Sequence, residues 1–204
     1  MVLVHPSYFS PIVQYVAMIR ADKVIFEVED HFQKQTYRNR CVLYSARGKQ
    51  VLSIPIQHGS GSKQKATTVR IDYKDHWEVQ HLRTLKTAYN ASPFFEFYQD
   101  ELSELYQKKQ PFLIDFLFDC HEFVMEALQV TIPYTRTREY QSQTEATDHR
   151  SLVIAKSEKQ YDLKRYIQVF EQSHGFIPNL SILDLLFMEG PNALNYLEQQ
   201  VVEL

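Results

Sequence analysis

One block of the chain, between residues 31 and 40, holds the densest set of side chains that could bind an anion. Its amides and cations are Gln33, Lys34, Arg38, Asn39 and Arg40. An arginine guanidinium presents two parallel donors that match the oxygens of a phosphate or carboxylate, whereas lysine carries a single solvated charge. The block therefore predicts a binding site for an anionic substrate, and a solvated charged turn explains the same composition equally well.

A histidine-containing segment, His5–Pro11, precedes a predicted helix and is the second candidate site. Backbone N–H groups at a helix N-terminus favour an anion, so this segment could cradle a phosphate, with Tyr8 beside it as a substrate-binding residue. Histidine has the unperturbed pKa nearest neutrality, which makes His5 the first candidate catalytic acid or base; Lys34 is the second. A single histidine in such a turn is more often a hydrogen-bonded structural residue, and that alternative stays open.

Two further candidates for substrate binding, Trp77 and His81, are four residues apart on a predicted helix, so their side chains share one face. That face could line a cleft. An indole and an imidazole are also common partners where a helix packs at the edge of a core, and packing is the favoured interpretation. The histidine and cysteine spacings match no metal-binding motif, and the sequence identifies no cofactor.

A strand, a helix and a second strand are predicted at the start of the chain, and they position the first two candidate sites. Val2–Val4 is a short apolar run typical of a buried strand, a serine-proline pair at 10–11 is typical of a helix start, and 23–30 is rich in β-branched and aromatic residues. Parallel neighbours place their carboxyl ends at one edge of a sheet. The His5–Tyr8 turn and the Gln33–Arg40 block should therefore face one cleft.

The whole pattern predicts an α/β fold with an N-terminal Rossmann-like βαβ unit, an added antiparallel hairpin and a helical C-terminal half. The hairpin strands, a glycine-rich loop and a further strand are predicted at 41–44, 51–56, 58–65 and 67–72. The predicted helices are 77–89, 93–106, 111–128 and a last one from about Ser181, interrupted at 190–191. The polar segment 133–162 lacks periodicity and is expected to be extended or irregular.

Length and composition limit the domain number and the class of function. A chain of 204 residues suits one hydrophobic core, so we expect a single domain, 1–204, mainly sheet-forming over 1–72 and mainly helical over 73–204. A formal net charge of -3 argues against a general nucleic-acid binder. Two distant cysteines and the absence of a long apolar run predict a cytoplasmic protein with no membrane insertion.

Taken together, several segments resemble the WbqC-like family of bacterial proteins. The most specific of them are the Gln-Lys to Asn-Arg block at 33–40 and the Asn-Leu-Ser-Ile-Leu-Asp-Leu-Leu run at 179–186. The other matching segments are His-Pro-Ser-Tyr-Phe at 5–9, Ala-Asp at 21–22, Leu-Ser-Ile-Pro-Ile at 52–56, Trp77 and Tyr-Asn-Ala-Ser-Pro-Phe-Phe at 89–95. The resemblance runs along nearly the whole chain.

The resemblance implies a role in the biosynthesis of O-antigen or another surface polysaccharide. The implied activity is a transferase that moves an aminoacyl group, with glycine as one suggestion, or an acyl group onto a sugar precursor. Its partners would be small molecules: an activated sugar and an aminoacyl or acyl donor. If the arginines bind such a ligand, Arg38→Ala or Arg40→Ala should abolish binding and leave thermal stability nearly intact. A large loss of stability in both variants would instead indicate a structural ion-pair network.

Two alternatives stay open beside the transferase. The chain could be a non-catalytic ligand-binding or assembly module, in which the apolar helix after Asn179–Asp184 serves as a homodimer or partner surface rather than as core. It could also be a nucleotidylyltransferase-like enzyme, because a strand leads through the His5 turn into a helix, although the two-histidine signature of those enzymes is absent.

Overall fold

The computed structural model describes residues 1–57, 63–156 and 159–204, so the predicted loop at 58–65 lies largely outside the described residues. Four parallel strands form the main sheet in the order β5-β2-β1-β6. The strands are β1 (Val2–Val4), β2 (Val24–Phe26), β5 (Tyr134–Arg136) and β6 (Thr147–Asp148). A separate antiparallel pair consists of β3 (Arg40–Ser45) and β4 (Gly48–Ser53). The predicted α/β class is confirmed.

The strand-helix-strand unit at the start of the chain is confirmed, with helix α1 (Ile12–Ile19) connecting β1 to β2 in parallel. All three residues of β1 are buried, as expected for an inner strand of a parallel sheet. The second strand is shorter than predicted. Glu27 N still donates to Val4 O at 2.8 Å, and strand pairing stops after it because the following N–H groups bond to side chains: Val28 N to Thr137 Oγ1 and Glu29 N to Glu27 Oε1.

The hairpin is confirmed, and its turn needs the left-handed backbone of Gly48, with φ at 93°. The strand predicted at 67–72 is wrong. Residues Ala66–Thr68 form a 3-10 turn instead, and the Thr68 hydroxyl donates to Lys65 O at 2.9 Å. A threonine that bonds locally in this way competes with strand pairing, although its β-branched shape favours a strand. Only isolated bridges follow, at Arg70 and Ile71.

Segment 133–162 is not wholly irregular, because it contributes β5 and β6 to the main sheet. β5 pairs with β2 and β6 pairs with β1, each in parallel. Both strands are at the sheet edges and are largely exposed, so they carry no run of apolar residues. The half of the chain predicted to be helical therefore also completes the parallel sheet.

Five of the remaining helices follow the predicted positions closely: α2 (Trp77–Tyr89), α3 (Phe95–Gln107), α4 (Leu113–Ala127), α6 (Ile182–Glu189) and α7 (Ala193–Glu198). The short helix α5 (Glu171–His174) was not predicted. α4 packs against the sheet where the ring of Phe26 meets Phe118 and His121, with centroids 5.2 and 5.0 Å apart. One hydrophobic cluster includes residues from Val2 to Leu197, so both halves of the chain share it. Among the described residues, no helix combines the length and apolar character needed to cross a membrane.

The run before α6 holds the N-terminus of α1. Ile12 N donates to Leu180 O at 3.0 Å, and Val13 N donates to Asn179 Oδ1 at 2.9 Å. Ser181 caps α6 and donates its hydroxyl to Phe9 O at 2.8 Å. The first N–H groups of α1 are therefore satisfied by the chain itself, and the phosphate cradle expected there is not available to a ligand.

Helix α6 is part of the core. Residues 182 to 187 have an exposed fraction of 0% each, so this helix does not supply the homodimer surface considered from the sequence. Its Asp184 carboxylate is buried with them and accepts three hydrogen bonds. Tyr89 and Tyr166 donate from their hydroxyls at 2.7 and 2.5 Å, and Gln168 donates from Nε2 at 3.1 Å. Burial raises the pKa of Asp184.

Candidate functional site

Polar side chains gather at the carboxyl ends of the four parallel strands. His5 follows β1, Glu27 follows β2, Thr137 follows β5 and Arg150 follows β6. The chain adds β2 and then β5 on one side of β1 but places β6 on the other side, so the strand order reverses between β1 and β6. Open α/β sheets bind ligands at such a reversal. The edge cluster is defined as His5, Glu27, Asp30, Arg38, Thr137 and Arg150.

Arg38 is buried and joins His5 to Asp30. Its Nη1 donates to Asp30 Oδ1 at 3.1 Å, and its Nη2 donates to Asp30 Oδ2. The same Nη2 donates to the His5 ring, 2.8 Å from Nε2. Only 3% of Arg38 is exposed. The guanidinium is therefore engaged inside the chain, and its fork already pairs with a carboxylate of the protein itself, the arrangement of a structural ion pair.

His5 is a neutral hydrogen-bond acceptor in this arrangement. One tautomer satisfies both ring nitrogens: Nδ1 carries the proton and faces Glu27 O at 3.4 Å, while Nε2 accepts from Arg38. Burial, followed by the charge of Arg38, lowers the pKa of His5 from 6.5 to about 4. The premise that its pKa lies near neutrality is therefore wrong, and His5 is uncharged at pH 7.

Glu27 places a carboxylate oxygen without a hydrogen bond in the interior of the edge cluster. Its Oε1 accepts from Thr137 Oγ1 at 2.9 Å and from Glu29 N at 2.8 Å. Its Oε2 has no hydrogen-bond donor among the described residues and lies 3.7 Å from Arg150 Nη1. Glu27 is 1% exposed. A buried carboxylate oxygen that lacks a donor is costly, which marks a position suited to a ligand or an ordered water.

Arg150 forms the solvent side of the edge cluster. It donates to the Asp148 carboxylate, from Nε at 3.0 Å and from Nη2 at 2.6 Å, and its Nη1 donates to Gln141 O at 2.9 Å. Hydrogen bonds from Arg150 lower the pKa of Asp148. Arg150 was not predicted as a site residue, because it follows a two-residue strand that has no apolar pattern in the sequence. The only signal was a polar Asp-His-Arg triplet at 148–150.

A small cavity of about 10 Å³ adjoins Glu27 and Arg38. Phe32 and residues of α4, including Leu113 and Leu117, form its apolar walls. Arg38 Nε is also buried without a hydrogen-bond partner among the described residues. The cavity has room for about one water molecule, so a larger ligand could reach Glu27 only if the Phe32 side chain moved.

The other predicted residues of the 31–40 block lie outside this cluster. Gln33 and Lys34 are exposed on the loop after β2, and no contact joins either side chain to His5 among the described residues. Asn39 donates from Nδ2 to Ile54 O at 2.9 Å, which fastens the base of the hairpin. Arg40 begins β3 opposite Ser53. The structure therefore brings His5 and Arg38 together but not the rest of the block.

Tyr8, Trp77 and His81 belong to a different group of side chains, inside the core. The Tyr8 hydroxyl lies 2.9 Å from His81 Nδ1 and is hydrogen-bonded to the Tyr106 hydroxyl. Trp77 meets His81 edge to face at 5.0 Å. Each of the three predicted residues is 6% exposed or less, and burial lowers the pKa of His81 to about 4. This is the packing arrangement favoured from the sequence.

The edge cluster can bind a small polar molecule in a defined orientation. Arg150 offers a cation at the rim, Glu27 offers an acceptor oxygen in the interior, and His5 is a neutral base beside it. Buried groups held by a network in this way are positioned before a ligand arrives, which lowers the cost of ordering them.

Comparisons with known proteins agree with the resemblance seen in the sequence. The chain is 25% identical over 203 residues to the uncharacterized protein Rv1507c of Mycobacterium tuberculosis, covering 86% of this chain and 87% of that protein. No solved structure matches the chain. A sequence model described as the WbqC-like protein family matches residues 6–168, which is well over half of the chain. The chain therefore belongs to the WbqC-like protein family.

Proposed function

We propose that this protein is a transferase that moves an aminoacyl or acyl group onto a sugar precursor of a surface polysaccharide, and that substrate binds at the edge cluster. The observation that carries the proposal is the Oε2 atom of Glu27, a carboxylate oxygen buried without a hydrogen bond at the strand-order reversal of a parallel sheet. The family role in polysaccharide biosynthesis comes from resemblance, and the cytoplasmic location stays a prediction.

Four residues of the edge cluster could each contribute to such a transfer. The hydroxyl or amino group of the acceptor must lose a proton as it attacks the acyl carbon, while the bond from that carbon to the carrier group of the donor breaks and the carrier leaves with the electron pair. His5 is neutral and Glu27 Oε2 lies at the same strand ends, so either could accept that proton. Arg150 would bind the anionic part of a substrate at the rim, while buried Arg38 would position His5. Phe32 would have to move to admit the acceptor.

A mass-spectrometric screen tests this proposal. The protein is incubated with mixtures of activated sugars and aminoacyl or acyl donors, and the expected product is a sugar heavier by the transferred group. Arg150→Ala should lower product formation by about tenfold or more, because a charge-assisted contact to an anion is lost. Arg138→Ala removes an exposed arginine from the loop after β5 and should leave product formation unchanged.

Glu27→Gln and His5→Gln separate the two candidate bases. The group that takes the proton should show the larger fall in turnover with little change in substrate affinity. If His5 acts, the rate should show no inflection near pH 6.5, because the pKa of this histidine is lowered to about 4. An inflection near pH 6.5 that disappears in His5→Gln would contradict the buried, neutral state assigned to this residue.

The second candidate is a ligand-binding module without turnover, and one observation favours it. Both ring nitrogens of His5 already have partners inside the chain, and the ring is 6% exposed. Binding of an activated sugar at micromolar affinity with no product from any donor would support this candidate and exclude the transferase. Nucleotidyl transfer at the same turn has less support, since the N–H groups of Ile12 and Val13 are bonded to the chain.

A further inference from the structure

A second concave surface lies between the turn of the β3–β4 hairpin and helix α2. It is a groove of about 540 Å³, which is within the size range of small-molecule sites. We define this basic groove by Arg47 and Lys49 of the hairpin, Arg83 and Thr87 of α2, and Phe170. None of these residues belongs to the edge cluster, so the two surfaces are formed by different parts of the chain.

Positive charge is concentrated in the basic groove, although the whole chain has a formal net charge of -3. Three of the described lining residues are cationic and none is acidic. In the part of the chain that the structure describes, neither Arg47 nor Arg83 has a side-chain hydrogen bond or ion pair. Glu171, next to Phe170, is bonded to Arg165. The groove therefore carries a positive potential that a bound anion would neutralise.

The walls of the basic groove are held in place by contacts behind them. The Tyr44 hydroxyl donates to Phe170 O at 3.1 Å, and the two rings meet edge to face with centroids 5.7 Å apart. His174 Nε2 donates to Ala46 O at 2.8 Å, which ties the hairpin turn to α5. A groove whose walls are fixed in advance loses little entropy on binding.

The helix side of the groove offers acceptors as well as a cation. The hydroxyls of Thr84 and Thr87 donate to Gln80 O and Arg83 O, each at 2.8 Å. Because their protons are used within the helix, these oxygens face a ligand as acceptors and suit the hydroxyl groups of a sugar. Phe170 adds a flat apolar face, on which a heterocyclic ring can stack.

We propose that the basic groove is a binding site for a nucleoside diphosphate, with the phosphate groups between Arg47 and Arg83 and the base on Phe170. Guanidinium groups match phosphate oxygens with paired donors, and Arg47 and Arg83 supply two positive charges for the two phosphate groups. The site is separate from the edge cluster, so it stands or falls independently of the proposed transferase activity.

Isothermal titration of the full chain with adenosine diphosphate, uridine diphosphate and pyrophosphate tests this site. We expect saturable binding of all three, with at least one nucleoside diphosphate binding more tightly than pyrophosphate. Arg47→Ala and Arg83→Ala should each weaken binding by about tenfold or more, because each removes a charge-assisted contact. Phe170→Ala should abolish the preference for a nucleotide over pyrophosphate.

Matched controls separate a built site from diffuse charge. Lys86→Ala removes another exposed cation of α2 that does not line the groove, and it should change affinity by less than about threefold. Arg150→Ala alters the edge cluster instead, and it should leave the affinity of the basic groove for pyrophosphate unchanged. The proposal would be overturned if no ligand showed saturable binding, or if Lys86→Ala and Arg83→Ala lost affinity equally. It would also be overturned if a single-stranded oligonucleotide bound more tightly than either nucleoside diphosphate. All of these side chains except Phe170 and Arg150 are exposed, and thermal unfolding verifies that each variant is folded.

Discussion

The guanidinium of Arg38 lies between the carboxylate of Asp30 and the imidazole of His5, and it donates to both. This contact joins the end of β1 to the loop after β2, although the residues are 33 positions apart in the chain. It makes Arg38 a structural member of the edge cluster. The sequence predicted Arg38 as a residue that binds an anionic ligand and whose removal leaves stability nearly intact, and its burial changes that expected effect.

We expect Arg38→Ala to lower the free energy of unfolding by about 3–5 kcal/mol, because Asp30 would be left as a buried charge without its partner. Urea unfolding at pH 7 measures this loss. Lys34→Ala, an exposed cation of the same block, should change the free energy of unfolding by less than about 0.5 kcal/mol. Nearly wild-type stability of Arg38→Ala would instead support the ligand-binding role predicted from the sequence.

Asp184 anchors the segment before α5 to the core through Tyr166 and Gln168. Asp184→Ala leaves the buried hydroxyls of Tyr89 and Tyr166 without their acceptor, while Gln168 Nε2 keeps its bond to Ile177 O. We therefore expect a loss of about 3 kcal/mol in the free energy of unfolding. Asp100→Ala is the matched control, because Asp100 is exposed on α3, and it should have a negligible effect on the free energy of unfolding. Chemical denaturation of both variants tests the expectation, and equal stabilities would show that the network is not a major contributor.

Three buried histidines should make the protein less stable as the pH falls below neutrality. Burial is the main cause that lowers the pKa of His5, His81 and His121 from 6.5 to about 4. Between pH 6.5 and 4 the unfolded chain therefore takes up protons that the folded chain does not. Each histidine should cost of order 1–2 kcal/mol of unfolding free energy between pH 7 and pH 5.

His121→Phe isolates one of these contributions, because His121 already packs against the rings of Phe26 and Tyr134. Urea unfolding at pH 7 and pH 5 should show a smaller difference in this variant than in the wild type. Asp184 acts in the opposite sense, since its raised pKa favours the folded state at low pH. An unchanged pH difference in His121→Phe would mean that this histidine is protonated in the folded chain.

Asn179 combines a side-chain cap with a left-handed backbone, with φ at 55°. Its Oδ1 accepts from Val13 N, so Asn179→Ala should lose both the hydrogen bond and the ease of adopting this backbone, at a cost of about 1–3 kcal/mol. Asn179→Gly keeps the backbone and loses only the hydrogen bond, so it should be the milder change. Thermal denaturation of the two variants gives the order, and a more stable alanine variant would contradict the capping role.

The residue pattern alone was sufficient to predict those strands and helices whose own sequence shows which side chains are buried. Val2–Val4 is continuously apolar, α2 and α4 have helical periodicity, and Ser181 and Gly190 stand at the ends of α6. These signals are local, because each strand or helix must bury an apolar face and satisfy its end groups. The family resemblance was also visible in the sequence, chiefly in segments 33–40 and 179–186, and the family match confirms it.

The composition of the edge cluster was decided only by tertiary structure. β5 and β6 are short and exposed, and they are held by backbone hydrogen bonds to β2 and β1, which leave no side-chain pattern in the sequence. Arg150 reaches Glu27 across 123 positions only because β6 pairs with β1. Likewise, the charge on His5 depends on its burial beside Arg38, and burial is a property of the folded chain as a whole.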